Sequence, residues 1–429
     1  MSALRRVDPE EVRASSLDAI TPEIAGAART ILDDVLEHGA QSARRWAHEL
    51  GDITAIDAPI WIDADSLRGA IKQLDRDARE ALEHADARIA SFARAQRASI
   101  RAFEHPVPGG TAAQELAPVV TAGCYAPGGR FPLPSSVLMT ARTAREAGVE
   151  RVVVASPNPS PATLAAAGIS GADGLLAIGG AQAIALMVRG LEDAFPPCDA
   201  VAGPGNAYVT AAKQLVSGRV RIDMLAGPSE LVVVADNSAD PETVAADLLA
   251  QAEHDPQARP ILVALDRDLP ERVNAALDRQ LATLHTAKIA RQACANGFVC
   301  FVPDLEQAIN ITDRLAPEHL ELHLDDANAF ASRVHHYGAV FVGSDTAEVL
   351  GDYGVGPNHT LPTGGTARSV GGLSVFDFLR IRTSITITDP REAEPAYRDA
   401  ATIARLEGLE AHARSAEIRL KPRQPPEPQ

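Results

Sequence analysis

Cysteine is scarce in this chain and is never spaced as metal or redox chemistry requires. Cys124, Cys198, Cys294 and Cys300 are scattered through 429 residues with no C-x-x-C, which argues against a disulfide framework or thiolate metal centre and fits a reducing compartment. They read as small buried hydrophobes. Long apolar runs are missing too. The most hydrophobic stretch, LLAIGGAQAIALMV, is broken by glycines and Gln182 and is too short to span a bilayer. The N-terminus, MSALRRVDPEEVR, turns acidic before any apolar signal region, so the expected location is the cytoplasm. Positive charge is in deficit: 40 Lys and Arg stand against 57 Asp and Glu, a net charge of −17. Nucleic acid and anionic membranes are disfavoured as partners because both need a basic face. A cationic or zwitterionic small substrate is tolerated. The compact signatures G-x-G-x-x-G and H-E-x-x-H are also absent.

What is present is enough apolar sequence, 46%, for two or more ordinary domains. From about Thr21 to Phe103 apolar residues recur every three or four positions, the period of helices. From about Val119 short β-branched runs such as ERVVVASP, SELVVVAD, RPILVALD and GFVCFVPD alternate with helical stretches. That alternation predicts parallel sheets with crossover helices, an α/β fold of two units. A glycine-rich, strandless stretch follows from Gly351 to Leu373, and loops of that length are commonly functional. A helix is expected from roughly Ala396 to Leu420 with an apolar stripe of Leu406, Leu409, Ala413, Ala416 and Leu420, before a proline-rich end, PRQPPEPQ, expected to be disordered.

Several groups carry chemistry. In LLAQAEHDP, after the helix start Asp240-Pro241, Gln251 and His254 stand three apart on one expected helix face and can reach one object; locally they read equally as a solvated polar edge. Glu318 and His319 in APEHLEL pair a carboxylate with an imidazole, an acid–base couple or simply two solvated loop residues. Asp352 and His359 lie in the glycine-rich stretch, and Glu407 and His412 on the last helix. With Gln251 and His254 these make a nitrogen and oxygen donor set that suits Zn²⁺ and admits Mn²⁺ or Co²⁺. GPGNAY (203–208) and IGGAQA (178–183) fall at strand-to-helix junctions, where free backbone N–H groups could hold a phosphate.

The blocks GCYAPGGRFPLPSSVLM, IGGAQAIA, AGPGNAYVTAAKQLV, IDMLAGPSELVVVAD, LLAQAEHDP, APEHLEL, GDYGVGPNHTLPTGGTAR and LEGLEAHARSAEIR, in that order, closely resemble the histidinol dehydrogenase family. The resemblance implies a Zn²⁺-dependent, NAD-linked homodimer that oxidises L-histidinol to L-histidine through L-histidinaldehyde, the last steps of histidine biosynthesis. It implies two incomplete Rossmann-like domains. Residues 22–122 with 232–372 would form the first, which includes the helical N-terminal part, and 123–231 the second. They would be preceded by an N-terminal segment, 1–21, and followed by a tail and helix for dimer contact, 373–429. Carried onto this sequence, the zinc ligands are Gln251, His254, Asp352 and His412, the last from the partner chain. Glu318 and His319 are the acid–base pair. Ser229, His359 and Glu407 join the ligands around the substrate, and Tyr125, Gln182 and Asn206 contact NAD. Cys124 departs from the larger aliphatic residue expected there, which raises the alternative of a related dehydrogenase of a sulfonated propanediol. Glu407 argues against that anion. A metal-dependent hydrolase using the same donors would leave Tyr125, the GPGN turn and His319 without a role.

Overall fold

The computed structural model describes residues 3–14, 20–129 and 131–421; the proline-rich end expected to be disordered lies outside them. The strands are β1 (Arg5–Arg6), β2 (Trp61–Asp63), β3 (Phe103–Val107), β4 (Gly110–Pro118), β5 (Thr121–Tyr125), β6 (Arg151–Ala155), β7 (Gly174–Leu176), β8 (Ala200–Ala202), β9 (Arg221–Ile222), β10 (Glu230–Ala235), β11 (Arg259–Ala264), β12 (Phe298–Phe301), β13 (His319–His323), β14 (Ala339–Val342) and β15 (Leu379–Ile387). The chain divides into two compact units, residues 1–97 with 119–378 and residues 98–118 with 379–429.

The first unit contains two six-stranded sheets, ordered β2-β7-β6-β5-β8-β9 and β1-β12-β11-β10-β13-β14. Apart from the antiparallel edge strand β2, every pairing in them is parallel. The central strands are covered on both faces, which is why RVVVA and ELVVVA read as continuous apolar runs rather than alternating ones. Strand order reverses between β5 and β8 in one sheet and between β10 and β13 in the other. Such switch points leave a crevice at the strand ends.

The N-terminal helices depart from the expected grouping with 232–372. Ala28, Ile31, Leu32, Val35, Ala43 and Ala47, from the helices Pro22–His38 and Ala40–Glu49, share a core with Val153, Leu176, Ala183, Ile184 and Val209. An amphipathic helix buries its stripe where an apolar face is open, and the helices flanking the β5–β8 sheet offer one. Strand β1 likewise leaves the N-terminal segment and extends the second sheet beside β12.

The helix Pro241–Ala252 forms as its sequence demands. Asp240 accepts hydrogen bonds from the N–H groups of Glu242 and Thr243, Pro241 occupies the first turn, and Val244, Ala245, Leu248, Leu249 and Ala252 are buried. It ends two residues short of His254, which follows in a tight turn whose N–H reaches the Gln251 carbonyl at 3.3 Å.

The second unit departs further from expectation. Strand β15, expected as part of a tail, pairs antiparallel with β4 from Leu379↔Pro118 to Ile387↔Gly110, and β4 pairs with β3, giving a three-stranded antiparallel sheet. The single helix expected from Ala396 to Leu420 is broken into Glu394–Leu406, Glu410–Glu417 and a short 3₁₀ turn, Ile418–Leu420. Gly408, at φ 78°, makes the left-handed break. Ala401, Ala404, Ala413 and Ala416 are buried together, while Leu406 of the expected stripe is 83% exposed and Leu409 43%.

Leu248 is fully buried among Leu231, Val233, Leu262 and Val273 and anchors the helix that presents Gln251. Leu248→Ala is expected to lower unfolding free energy by about 2–5 kcal/mol in a urea titration; a loss under about 1 kcal/mol would show that this helix is not locked into the core.

Candidate active site

Glu318 and His319 stand at the amino end of β13, between β10 and β14, with His319 in register with Leu231 and Ala339. The preceding helix Leu305–Leu315 ends at Ala316, in the left-handed region at φ 47°, and Pro317 prevents its continuation. The solvated loop left open by the sequence is not what forms: Glu318 and His319 are 6% and 4% exposed. One Glu318 oxygen accepts the N–H of Glu230 at 2.9 Å, and the Ser229 side chain also hydrogen-bonds this carboxyl. Burial drives the Glu318 carboxyl well above its usual range; the charges of Glu230 and Asp352 push it the same way, and the bonds from Glu230 N–H and Ser229 oppose them. Burial also pulls His319 down to about 4, against the pull of Asp352. The imidazole is therefore neutral at pH 7, the form that accepts a proton.

Around His319 the other expected residues converge. Its Nδ1 lies 3.3 Å from Glu348 Oε1 and 3.7 Å from Glu318 Oε2, and its Nε2 lies 4.0 Å from Asp352 Oδ1. Asp352 closes the helix Glu348–Asp352, and its Oδ2 is 3.5 Å from His254 Nε2. His359 Nδ1 bonds the Asp352 carbonyl at 2.9 Å, and its Nε2 meets Ser136 Oγ at 3.1 Å. Burial lowers the His359 pKa. Gln251 is fully buried, and neither its amide oxygen nor its amide nitrogen has a hydrogen-bond partner. An orphaned primary amide at 0% exposure is costly unless a ligand occupies it. A divalent cation beside Asp352 and His254 fits this donor set, since it would satisfy the Gln251 oxygen and offset crowded carboxylates.

Glu407 and His412 belong to the second unit, where both are exposed: His412 on the helix Glu410–Glu417, Glu407 capping the end of Glu394–Leu406.

Among the described residues, two trios offer metal-ligand atoms within 4.8 Å of one another: His319, Glu348 and Asp352, and Asp247, Glu321 and His323. Glu348, which the sequence reading missed, is 2% exposed, and burial together with Asp352, Glu321 and Glu318 holds its carboxyl well above the usual range. Its four-residue spacing from Asp352 puts both acids on one helical face and was the available signal. The second trio lies further along β13. Its Nε2–Oδ2 and Nε2–Oε2 separations, 3.5 Å to Asp247 and 3.7 Å to Glu321, describe an imidazolium between two carboxylates.

The residues expected to meet NAD lie at the carboxyl ends of the first sheet. Tyr125 ends β5, and its hydroxyl accepts the Gly180 N–H at 3.1 Å. Gln182, buried in the helix Gly180–Arg189, donates to Asp52 Oδ2 at 2.9 Å, and the same oxygen takes the Gly179 N–H at 2.8 Å. Asn206 caps the helix Ala207–Val216 by accepting from Tyr208 and Val209 N–H. Three of the N–H groups at these turns are thus already engaged, those of Gly179 and Gly180 and that of Gly203, which meets Asp223 Oδ2 at 2.7 Å. Asp52 was invisible in the sequence because it sits in the polar loop after Ala40–Glu49, where nothing links it to the GGAQ turn. All four cysteines are buried and free; burial raises Cys124 to about 12, so its thiol is inert.

Parallel sheets, a buried imidazole–carboxyl couple and a neighbouring set of N and O donors give an α/β chain with a candidate active site. The family model described as histidinol dehydrogenase matches residues 16–420. A histidinol dehydrogenase of Thermus thermophilus is 45% identical over 417 residues, covering 96% of this chain and 98% of the relative. One from Agrobacterium fabrum is 42% identical over 94% of each. The crystal structure of histidinol dehydrogenase from Elizabethkingia anophelis superposes with a TM-score of 0.90 at 30% identity, covering 98% of both chains. The chain belongs to the histidinol dehydrogenase family and is an oxidoreductase.

His323 supplies a pH test. Burial disfavours its charge, but Asp247 and Glu321 outweigh burial and raise its pKa from 6.5 to about 9. A folded-state pKa above the unfolded one stabilises the fold fully below 6.5, and that stability is lost as pH climbs through about 9. Unfolding free energy measured at steps across this interval should decline, and His323→Gln should flatten the decline. Equal slopes for the two proteins would remove His323 from the balance.

Proposed function

We propose that this chain oxidises L-histidinol to L-histidine by way of L-histidinaldehyde, with two molecules of NAD and a bound zinc ion, as a cytoplasmic step of histidine biosynthesis. The observation that carries the reading is the dry couple Glu318–His319 set against Asp352, beside the unpaired amide of Gln251. Zinc held by Gln251, His254, Asp352 and His412 of the partner subunit would supply positive charge that fixes the substrate's imidazole and amine and draws the neighbouring carboxyls back toward their ionised forms.

His319, kept neutral by burial, takes the hydroxyl proton as the carbinol carbon gives up hydride to nicotinamide. The aldehyde's remaining hydrogen can leave as hydride, to give the acid, only after water has added to the carbonyl carbon. Glu318, hydrogen-bonded by Ser229 and Glu230 N–H, deprotonates that water, and His319 then accepts the hydrate's proton in the second oxidation. His359, braced between Ser136 and the Asp352 carbonyl, joins Ser229 in lining the substrate. Glu407 gives the substrate ammonium an opposite charge. Tyr125, Gln182 and Asn206 line the NAD pocket.

A homodimer with shared active sites accounts for the second unit. Its Ile381, Ile385, Ile403, Leu406 and Ile418 are between 55% and 83% exposed, an apolar display that water-facing surfaces rarely carry. No helix among the described residues is long and apolar enough to cross a membrane.

Two substitutions test the roles. His319→Asn should lower kcat by about 10²-fold or more for both histidinol and histidinaldehyde while zinc content, read by metal analysis, stays at the wild-type level; normal rates would remove His319 as the base. Glu318→Gln should chiefly slow aldehyde to acid, seen as histidinaldehyde-dependent NADH formation at roughly 340 nm. An equal loss in both halves would count against water activation.

A further inference from the structure

Lys213 and Asp223 form an ion pair with side chains 2% and 0% exposed, at a distance from Glu318 and His319 in sequence and with no part in the chemistry described above. Burying two opposite charges is weakly stabilising at best, because their desolvation offsets their attraction. What the pair does hold is one residue. Asp223 Oδ2 accepts the Gly203 N–H at 2.7 Å, and Lys213 Nζ donates to the Gly203 carbonyl at 2.9 Å. With the Lys213–Asp223 contact the three residues close a ring that fixes both backbone polar groups of Gly203.

Gly203 is not an arbitrary point to hold. Its φ of 118° is left-handed, and a Cβ there would stand 2.0 Å from the Tyr125 carbonyl oxygen, so the turn lies directly on the end of β5. Three residues on, Asn206 caps the next helix. Lys213 lies on that same helix, and one turn earlier Thr210 Oγ1 donates to the Ala226 carbonyl at 2.9 Å. The link 223–229, which delivers Ser229 to Glu318, is thereby tied to the helix that starts at the turn.

We propose that the buried Lys213–Asp223 pair is a positioning element for the cofactor: it sets the GPGN turn, and through it the relative placement of Tyr125 and Asn206, without touching NAD itself. This rests on the reading that NAD meets these two residues. Neither charge is required by packing alone, since methionine is close to lysine in volume and asparagine to aspartate. The pair is suited to holding a glycine whose lack of a side chain leaves it no other anchor.

The test compares zinc-loaded wild-type enzyme with Lys213→Met and with the neutralised pair Lys213→Gln/Asp223→Asn, which avoids an unpaired buried charge and guards against misfolding. Initial rates are taken with NAD varied at saturating L-histidinol, and with L-histidinol varied at saturating NAD. The expected result is a KM for NAD raised about tenfold, with the KM for L-histidinol and kcat within about twofold of wild type. A folded neutralised pair with an unchanged KM for NAD, or one that loses kcat alone, overturns the proposal. Asn206→Ala is measured in parallel. If it raises the KM for NAD and the neutralised pair does not, the clamp is wrong and the cofactor reading stands. If the pair raises it and Asn206→Ala does not, the clamp stands and the contact assigned to Asn206 falls. If neither moves it, the clamp and the reading of this turn fall together.

Discussion

The rest of the site follows from one constraint: an imidazole and a carboxyl are withdrawn from water side by side at the start of β13. Desolvation alone drives His319 toward its neutral form and Glu318 toward its protonated one. The charges of Glu230 and Asp352 push Glu318 the same way, and those of Asp352, Glu321 and Glu318 do so for Glu348. Arg259 offsets Glu230 across a 2.7 Å contact. A site so rich in acids and so dry suits a cation, and the buried, unpartnered amide of Gln251 is of the donor type that would meet one.

Sheet geometry decides which strand ends of the two sheets the chain can bring together. In the first sheet Tyr125, the GGAQ turn and Gly203 follow the carboxyl ends of β5, β7 and β8, the usual ligand end of a parallel sheet. In the second sheet Ser229, Glu318 and His319 stand at the amino ends of β10 and β13. The reversal is a matter of chain reach. The link 223–229 leaves the carboxyl end of β9 and enters the amino end of β10, and seven extended residues span at most about 25 Å. A short connection therefore places opposite ends of the two sheets together. Asn358, bonded to the Met139 carbonyl at 2.8 Å, and His359, bonded to Ser136, hold the glycine-rich loop across the same seam.

How much of this could be read from the sequence depended on whether a signal was local. The central strands were legible because full burial writes an uninterrupted β-branched run, and the 241–252 helix because its cap, proline and apolar spacing are contiguous. Strands β3, β4 and β15 were not: HPVPGG marks a turn, but nothing local announces that β4 pairs with a segment more than 250 positions away. Gly408 is a single residue within an otherwise helical pattern, and helix breaks of that kind are easily read through. Gln251, His254, Glu318, His319, Asp352 and His359 stand out in the sequence by residue type, but spacing says nothing of whether they meet, which the family resemblance alone implies. Asp52 and Glu348 escaped because each acts through a partner distant in sequence, Gln182 for one and His319 for the other.

The occupied N–H groups bear on how a dinucleotide would be held. In a Rossmann turn the glycines leave backbone donors free, and the pyrophosphate sits on a helix N-terminus. Here the donors of Gly179, Gly180 and Gly203 are spent on Asp52, Tyr125 and Asp223, and Asn206 uses its own side chain on the helix it begins. Those three donors are not available to a phosphate, and the carboxylate of Asp52 at one of the turns works against an anion. On the proposed reaction such weak anchoring is an advantage. The first reduced cofactor must leave and a second oxidised one enter while the aldehyde stays in place. An enzyme that grips its intermediate through a metal and a carboxylate, and its dinucleotide through side chains and shape, separates those two residence times.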